Sequence, residues 1–334
     1  MKINYQYDRV YIDPSFDYRF GSWYLQGLYE VFGKRNVYFS SFFFNEFKTN
    51  NHFMAVVVFI KEKRVNLVID FADSGEVDSH SYNWSDKYAK VNVKSEDLEK
   101  YSKLITIGPN FAIKVNSVYS TFKLCFLNLL KSWSRIPEKK LFIRNYYLSC
   151  INALPLSAYH KNEETDNFVF FVSSIWKKNT NTNEYRSNFF DACNLFESLN
   201  LELGFTPRND GVTRYEGKTR KKQLTIKNYV RGFRKSFFVF NTPSVFDCHG
   251  WKLGEFCAMS KLIISVPLTR EMPGIFKADI HFLQCDGSVN EIKKQIVRLI
   301  EDEKLRNTLK TNIESYYKEY LTPSSVIQRI ISFT

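Results

Sequence analysis

The chain lacks a hydrophobic run long enough to cross a membrane. Its longest apolar stretch in the N-terminal region, FMAVVVFI at 53–60, is less than half of the roughly 20 residues that a spanning helix needs. The N-terminus turns polar at once and contains no apolar core of a signal peptide. Because neither feature is present in the sequence, we expect a cytoplasmic protein.

Glycine, proline and cysteine are also scarce. With 13 Gly and 9 Pro, the chain is neither collagen-like nor of low complexity. The six cysteines form no C-x-x-C pair and show no regular spacing, which indicates free, mostly buried thiols in a reducing compartment. No D-x-D string, a pattern that often binds a divalent metal ion, occurs in the chain.

The composition is that of a folded globular protein of two domains. Hydrophobic residues make up 44% of the 334 residues and charged residues 25%, and a chain of this length exceeds one typical core. Lys and Arg number 47 against 35 acidic residues, which gives a net charge of +12. That excess favours an anionic partner, namely nucleic acid, an acidic membrane or a phosphorylated substrate, unless it reflects only a Lys-rich composition.

Strand and helix patterns alternate along both halves of the chain, which predicts the α/β class. A polar, turn-rich stretch at 153–167 is interpreted as a linker. The predicted division is a first domain over 1–152, a second over 168–311, and C-terminal helices over 312–334 that pack back on the first domain. Helices are expected at 23–32, 117–133, 186–199, 255–260 and 289–301, among others.

The segment FDCHGWKLGEFCAMSKLIISVP at 246–267 carries the clearest chemical signal. Asp247, His249 and Lys252 lie in a polar loop before a helix that contains Glu255, and an apolar strand follows at 262–266. A polar loop at a helix N-terminus beside a buried strand is where open α/β sheets bind anionic ligands. This segment is therefore the predicted ligand site.

This segment resembles the nucleotide-sugar motif of the GT-B glycosyltransferases. Asp247 and Glu255 enclose seven residues, similar to the E-x7-E pair of the retaining branch. The resemblance implies two Rossmann-like domains with mostly parallel sheets facing a central cleft, and a C-terminal helical tail. It assigns acceptor binding to the first domain and nucleotide-sugar binding to the second, and it covers the second half of the chain best.

Two departures leave the stereochemistry open. The first acid of the pair is Asp247 where the retaining branch has Glu, and the residues after Ile175 do not reproduce its G-x-x-x-x-K-G loop. The string RSNFFDA at 186–192, together with KLGE at 252–255, resembles the inverting fucosyltransferases instead. Both a retaining and an inverting outcome therefore stay open.

The resemblance gives roles to particular side chains. Cations can stabilise the leaving diphosphate in place of a metal, and a carboxylate can accept bonds from both ribose hydroxyls. The predicted donor-binding residues are Lys177, Arg186, His249, Lys252 and Glu255. The predicted catalytic residues are Asp13 and Asp247, and the predicted acceptor-binding residues are Gly21 and Asp73. Asp17 and Asp70 are further candidates for the base.

Each assignment has a structural alternative. Lys177 and Lys178 are also consistent with a solvated loop, and Glu255 with a carboxylate stabilised by the helix dipole. The N-terminal acids are equally typical of loop caps and turns. A basic, aromatic-rich helix at 117–133 and the residues after it predict either contact with an anionic membrane or a core helix with a solvated face.

The predicted partners are a UDP- or GDP-sugar donor and a glycan or lipid-linked glycan acceptor, without cofactor, metal or nucleic acid. An anionic membrane surface is a further expected partner, so the protein would be cytoplasmic and peripheral on the inner face of the membrane. Two alternatives remain open at this stage. One is a nucleic-acid-binding protein, and the other is a non-catalytic module that binds nucleotide-sugars.

Overall fold

A computed structural model describes residues 9–60, 63–160, 163–177, 179–208 and 214–332. The chain forms two compact units. Unit 1 holds the described residues up to Pro155, the short segment Arg270–Pro273, and the described residues from Lys318 onward. Unit 2 holds the rest. The border at Pro155 lies within the stretch interpreted as the linker.

Unit 1 is built on a six-stranded mixed sheet with the order β2-β1-β3-β4-β5-β6. Only β3 runs antiparallel to its neighbours. The strands are β1 (Arg9–Ile12), β2 (Val37–Phe39), β3 (Phe53–Ile60), β4 (Lys63–Asp70), β5 (Lys87–Lys90) and β6 (Leu104–Thr106). The apolar run of β3 is explained by this central position, because both faces of the strand are covered.

The helices of unit 1 are α1 (Ser22–Phe32), α2 (Ser79–Trp84), α3 (Ser95–Lys100), α4 (Val118–Lys131), α5 (Lys139–Ile151) and α11 (Pro323–Ser332). Helices α1 and α4 confirm the predicted helices at 23–32 and 117–133. Helix α5 was not predicted. Its buried side chains include Asn145 and Ser149, and these polar residues interrupt the apolar periodicity that marks a helix in sequence.

Unit 2 contains parallel strands in two small sheets, β7-β8 and β11-β10-β9. The strands are β7 (Phe168–Ser173), β8 (Asn200–Phe205), β9 (Phe238–Asn241), β10 (Leu262–Ser265) and β11 (Leu283–Gln284). The helices are α6 (Thr180–Cys193), α7 (Ile226–Lys235), α8 (Trp251–Ala258), α9 (Val289–Glu301) and α10 (Glu303–Tyr316). The α/β class with mostly parallel sheets is confirmed in both units.

The two sheets of unit 2 meet where β7 lies beside β9. At the start of the strands, the Phe237 amide donates to the Phe168 carbonyl at 2.7 Å. The fully buried Ser236 hydroxyl accepts from the Phe170 amide at 2.9 Å and donates to the Phe238 carbonyl at 2.6 Å. Because the chain leaves β7 toward β8 on one side and places β9 on the other, the order reverses at this point. Open α/β sheets bind ligands at the carboxyl ends of strands at such a switch point.

Two helices that border this point start earlier than predicted. Helix α8 begins at Trp251, so Glu255 lies in its second turn and does not open the helix. Helix α6 begins at Thr180 and not at Arg186, because Asn179 and Thr182 bond the carbonyls of Ser244 and Pro243 and hold this polar turn in place. Across the described part of the chain, every helix is too short or too polar to cross a bilayer.

The C-terminal helix α11 belongs to unit 1 and packs on α1. The contact depends on Gly27, because a Cβ added there would overlap the backbone carbonyl of Pro323 and approach Ile327 at 2.7 Å. The buried side chains of α11 include Val326, Ile327 and Ile330, so this helix closes part of the unit 1 core. In contrast to the predicted boundary at residue 312, α10 stays in unit 2 and the return begins at Lys318.

We therefore expect Gly27→Ala to destabilise the protein by about 1–3 kcal/mol, the usual cost of overpacking a close contact. A backbone carbonyl has less freedom to move aside than a side chain. Gly217→Ala is the matched control, because a Cβ there would meet nothing within 4 Å. Urea unfolding of both variants measures the difference, and equal stability would show that α11 does not depend on close packing against α1.

Candidate functional site

Arg186 joins the carboxyl ends of β7 and β9. Its Nε donates to Thr242 Oγ1 at 3.0 Å, just after β9, and its Nη1 donates to the Ser174 carbonyl at 2.6 Å, just after β7. The side chain is buried, and burial lowers its pKa to about 10. The Arg186 guanidinium thus links β7 and β9 at their carboxyl ends, and Ser236 links them at their amino ends.

Lys252 and Glu255 place two more charges beside Arg186, one turn apart on α8. Glu255 is only 4% exposed and accepts a hydrogen bond from the Tyr229 hydroxyl of α7 at 3.3 Å. The Nζ of Lys252, a half-buried residue, lies 5.1 Å from the centroid of the Phe171 ring of β7. A cation–π contact of this kind fixes the ammonium group against the strand.

The electrostatics of this cluster follow from burial. Burial raises the pKa of Glu255 to about 7, while the nearby Lys252 and the Tyr229 hydrogen bond act in the opposite direction. Burial and then the Arg186 charge lower the pKa of Lys252 well below its usual range, and Glu255 offsets part of that effect. Strongly shifted ionisable groups at the end of a parallel sheet are typical of functional sites.

The loop after β9 carries the other two predicted residues of this segment. His249 is buried, whereas Asp247 is exposed. Phe246 and Asp247 both adopt the left-handed backbone conformation, with φ of 55° and 56°. This conformation is uncommon for residues other than glycine and marks local strain of the kind found at ligand-binding loops.

The space under this loop is small. A cavity of about 10 Å³ lies among residues that follow β9 and β10, and it is large enough for about one water molecule. Its lining includes Thr242, Cys248 and His249 on one side and Leu268 and Thr269 on the other. This cavity is too small for a nucleotide. To bind here, a nucleotide would have to lie on the outer surface at the carboxyl ends of the strands, or the strained loop would have to move.

Lys177 lies on the exposed surface after β7, whereas the adjacent Lys178 lies outside the described residues. The structure thus brings Arg186, Lys252 and Glu255 into one cluster, and it places His249 and Asp247 in the neighbouring loop. In the described residues, no group of three His, Cys, Asp or Glu side chains is placed to hold a metal ion.

In unit 1, the predicted residues lie at the carboxyl ends of β1 and β4. Asp13 is buried and paired with Arg135, whose Nη2 donates to Oδ2 at 2.6 Å. Gly21 caps α1, and a Cβ there would meet the Phe16 ring at 2.5 Å, so this glycine permits close packing. The exposed Asp73 follows β4, two strand positions or roughly 10 Å from β1 in the sheet.

A larger cavity of about 230 Å³ lies beside the loop after β1, and Asp17 forms part of its wall. The Oδ1 atom of Asp17 accepts from the amides of Arg19 and Phe20 at 2.8 and 3.1 Å. Its Oδ2 accepts from Asn145 Nδ2 at 2.6 Å. Burial raises the pKa of Asp17, although these backbone bonds and the Arg19 charge act against the rise.

Three residues of these sites were missed by sequence reasoning. Tyr229 and Thr242 contact the charged cluster, and Asn145 holds Asp17. Tyr229 and Asn145 lie on helices whose neighbours in sequence carry no related signal, so only the packing of α7 and α5 reveals them. Thr242 directly follows a predicted strand, and that position is a signal that could have identified it.

No family model matches the chain, and no curated protein matches it in sequence. The solved structures that it resembles include the following three. The first is TarM, the second is a putative UDP-N-acetylglucosamine 2-epimerase from Listeria monocytogenes, and the third is a glycosyltransferase from Rickettsia africae ESF-5. Their TM-scores are 0.45, 0.36 and 0.39, and their sequence identities are 12%, 12% and 8%. The likeness covers 79%, 75% and 77% of this chain and 48%, 72% and 67% of theirs. The chain thus spans about half of TarM.

Glu255 provides a test of the cluster through pH. Since its pKa is raised from 4.5 to about 7, the folded state binds more protons over this interval, and its contribution to stability is lost as pH rises through it. Glu255→Gln removes this loss. Relative to the wild type, the variant should gain up to about 3 kcal/mol in unfolding free energy between pH 4.5 and pH 8.

Urea unfolding at pH 5 and pH 8 measures this gain. Glu216→Gln is the control, because Glu216 is exposed and its charge stays in water. A parallel stability–pH curve for wild type and Glu255→Gln would mean that the carboxylate is not desolvated in the folded protein.

Proposed function

We propose that the protein is a glycosyltransferase that uses a nucleotide-diphosphate sugar. The observation that carries the proposal is the cluster of the buried Arg186 and Glu255 with the half-buried Lys252, at the point where the strand order of unit 2 reverses. Removing charged groups from water costs free energy unless an opposite charge, from the protein or from a ligand, compensates for it. A diphosphate ligand would supply the negative charge that two adjacent cations lack.

The roles follow from the chemistry of the three groups. The two cations would stabilise the negative charge that grows on the leaving diphosphate, with no need for a metal ion. Glu255 would accept hydrogen bonds from ribose hydroxyls, with Tyr229 holding the carboxylate in position. The strained loop with Asp247 and His249 would contact the sugar or the phosphates after a local shift, and Lys177 would add charge at the rim.

Because the pKa of Lys252 is low in the unliganded protein, donor binding should be coupled to protonation of this lysine. A bound diphosphate would favour the charged ammonium form and reverse the effect of burial and of Arg186. Donor binding would then take up a proton at this lysine. Lys252 would thereby gain its full charge only when a donor is present.

For the acceptor, the cavity of unit 1 supports a role for Asp17. Of the acids at this edge, Asp17 lines the cavity, while Asp13 is held in an ion pair with Arg135. A carboxylate with a raised pKa accepts a proton more readily at neutral pH, as a base acting on a sugar hydroxyl must. Gly21 would contribute through the shape of the same loop, and Asp73 and Asp13 remain alternative residues.

The proposed acceptor is a glycan or a lipid-linked glycan, as in bacterial surface-polysaccharide or lipopolysaccharide synthesis. A cytoplasmic enzyme with a lipid-linked acceptor works at the inner face of the cytoplasmic membrane. The proposed location of this protein is therefore peripheral on that face. A binding module without transfer activity is the second candidate. It is favoured by the engagement of the unit 1 acids, because Asp13 pairs with Arg135 and both oxygens of Asp17 already accept hydrogen bonds.

A thermal-shift series with UDP, GDP and their sugars, in the presence of EDTA, tests the donor site. We expect one nucleotide to raise the melting temperature in a concentration-dependent manner, since a ligand that binds only the folded state stabilises it. Lys252→Ala should abolish the shift and lower kcat/KM roughly 30- to 1,000-fold, which corresponds to about 2–4 kcal/mol for the loss of one charged contact.

Lys221→Ala, an exposed lysine of the same unit, is the control and should leave both readouts unchanged. A shift that survives in Lys252→Ala and in Glu255→Ala would place the donor elsewhere. A shift that requires a divalent metal would contradict the metal-independent scheme.

Asp17→Asn tests the acceptor base. The substitution keeps the shape of the residue and removes its ability to take a proton, so transfer should fall by roughly 10²–10⁴-fold while the nucleotide shift is unchanged. Asp73→Asn, at the exposed end of β4, is the comparison. Full turnover in Asp17→Asn with a large loss in Asp73→Asn would move the base to β4.

A further inference from the structure

Helix α4 has its apolar side facing outward. Its buried residues are Thr121, Cys125 and Asn128, which are small or polar. Most of its exposed residues are large and apolar. Tyr119, Phe122, Phe126 and Leu130 follow each other at spacings of three and four, and the stripe continues to Trp133 after the helix ends. Side chains at these spacings share one face of a helix.

The inverted pattern is held in place by specific contacts. The Asn128 amide donates to the Tyr146 hydroxyl of α5 at 3.0 Å inside the unit, so the polar side of α4 is tied to the core. Phe126 is 62% exposed and Trp133 is 56% exposed. A surface helix of a soluble domain normally buries its apolar side, so this arrangement indicates that another apolar phase covers it.

The apolar surface extends to neighbouring segments. Helix α5 exposes Ile143, Tyr147 and Ile151 at intervals of four residues. Next to the end of α4, the Ser41 hydroxyl donates to the Lys131 carbonyl, and the adjacent Phe42 is 75% exposed. We call the outward side chains of α4, α5 and Phe42 the apolar patch.

Basic residues surround the apolar patch. Residues 115–152 contain a single acid, Glu138, and six Lys or Arg. Four of the cations are exposed, namely Lys123, Lys131, Lys140 and Arg144. Lys139 lies with its Nζ 4.8 Å from the Trp133 ring centroid. Arg135 is engaged by Asp13, so the other cations define the charge of this surface.

We propose that the apolar patch docks on an anionic lipid bilayer. Apolar and aromatic side chains would enter the boundary between headgroups and acyl chains, and the lysines and Arg144 would contact lipid phosphates. The positive charge around the apolar patch favours a bilayer over a second copy of this chain. A second copy would bring the same positive charge to the contact, and the two surfaces would repel each other. The proposal holds whichever sugar the enzyme transfers.

Co-sedimentation of the full chain with vesicles tests this docking. We expect binding to vesicles of phosphatidylglycerol and phosphatidylcholine and much weaker binding to phosphatidylcholine alone. Lys140→Glu with Arg144→Glu should weaken binding roughly thirtyfold, since each basic residue near an anionic surface contributes about a fivefold factor. Phe126→Ser with Leu130→Ser should weaken it by a similar factor through lost apolar contact.

Lys221→Glu with Lys222→Glu is the matched control, because it makes the same change in net charge at exposed positions of unit 2. It should retain binding within about twofold of the wild type. Circular dichroism and the nucleotide thermal shift, measured without vesicles, confirm that each variant is folded. They also separate a failure of docking from a failure of the donor site.

Three results would overturn the proposal. One is equal binding to neutral and anionic vesicles, and another is equal loss in the unit 2 control. The third is a wild-type protein that forms a dimer in solution and does not bind vesicles, with Phe126→Ser and Leu130→Ser together converting the dimer to a monomer. That last result would assign the apolar patch to a second copy of the chain.

Discussion

The double contact of Arg186 is the constraint on which the rest of unit 2 depends. Strands β7 and β9 belong to different small sheets, and their carboxyl ends are joined by the guanidinium through Ser174 and Thr242. The Arg186 charge lowers the pKa of Lys252, and the nearby Glu255 offsets part of that effect. One side chain thus fixes the strand ends and sets the electrostatics of the predicted donor site.

The charges of this cluster depend on burial. Burial shifts the pKa values of Lys252 and Glu255 toward their uncharged forms, whereas Arg186, with a pKa of about 10, keeps its positive charge at neutral pH. Such an arrangement costs stability in the absence of a ligand. Functional sites often carry this kind of cost, because the ligand supplies the missing charge.

Unit 1 shows a different use of polar and apolar side chains. Three of its buried acids are held by partners inside the unit, Asp13 by Arg135, Asp17 by Asn145 and Asp70 by Lys90. Its apolar residues, in contrast, are partly turned outward on α4 and α5. Periodicity alone identified α4 as a helix, but a periodic stripe does not reveal which side faces the core. The packing of Asn128 against Tyr146 decides that orientation.

Local patterns determined the α/β class, the strands at β3, β4 and β7, and the grouping of Lys252 with Glu255, because strand and helix periods and short spacings are written in neighbouring residues. The antiparallel direction of β3, the early starts of α6 and α8, and the partners Tyr229 and Asn145 were decided by tertiary structure. These features depend on contacts between residues that are far apart in sequence. A single chain records the residue types at both ends of such a contact, and only the fold brings them together.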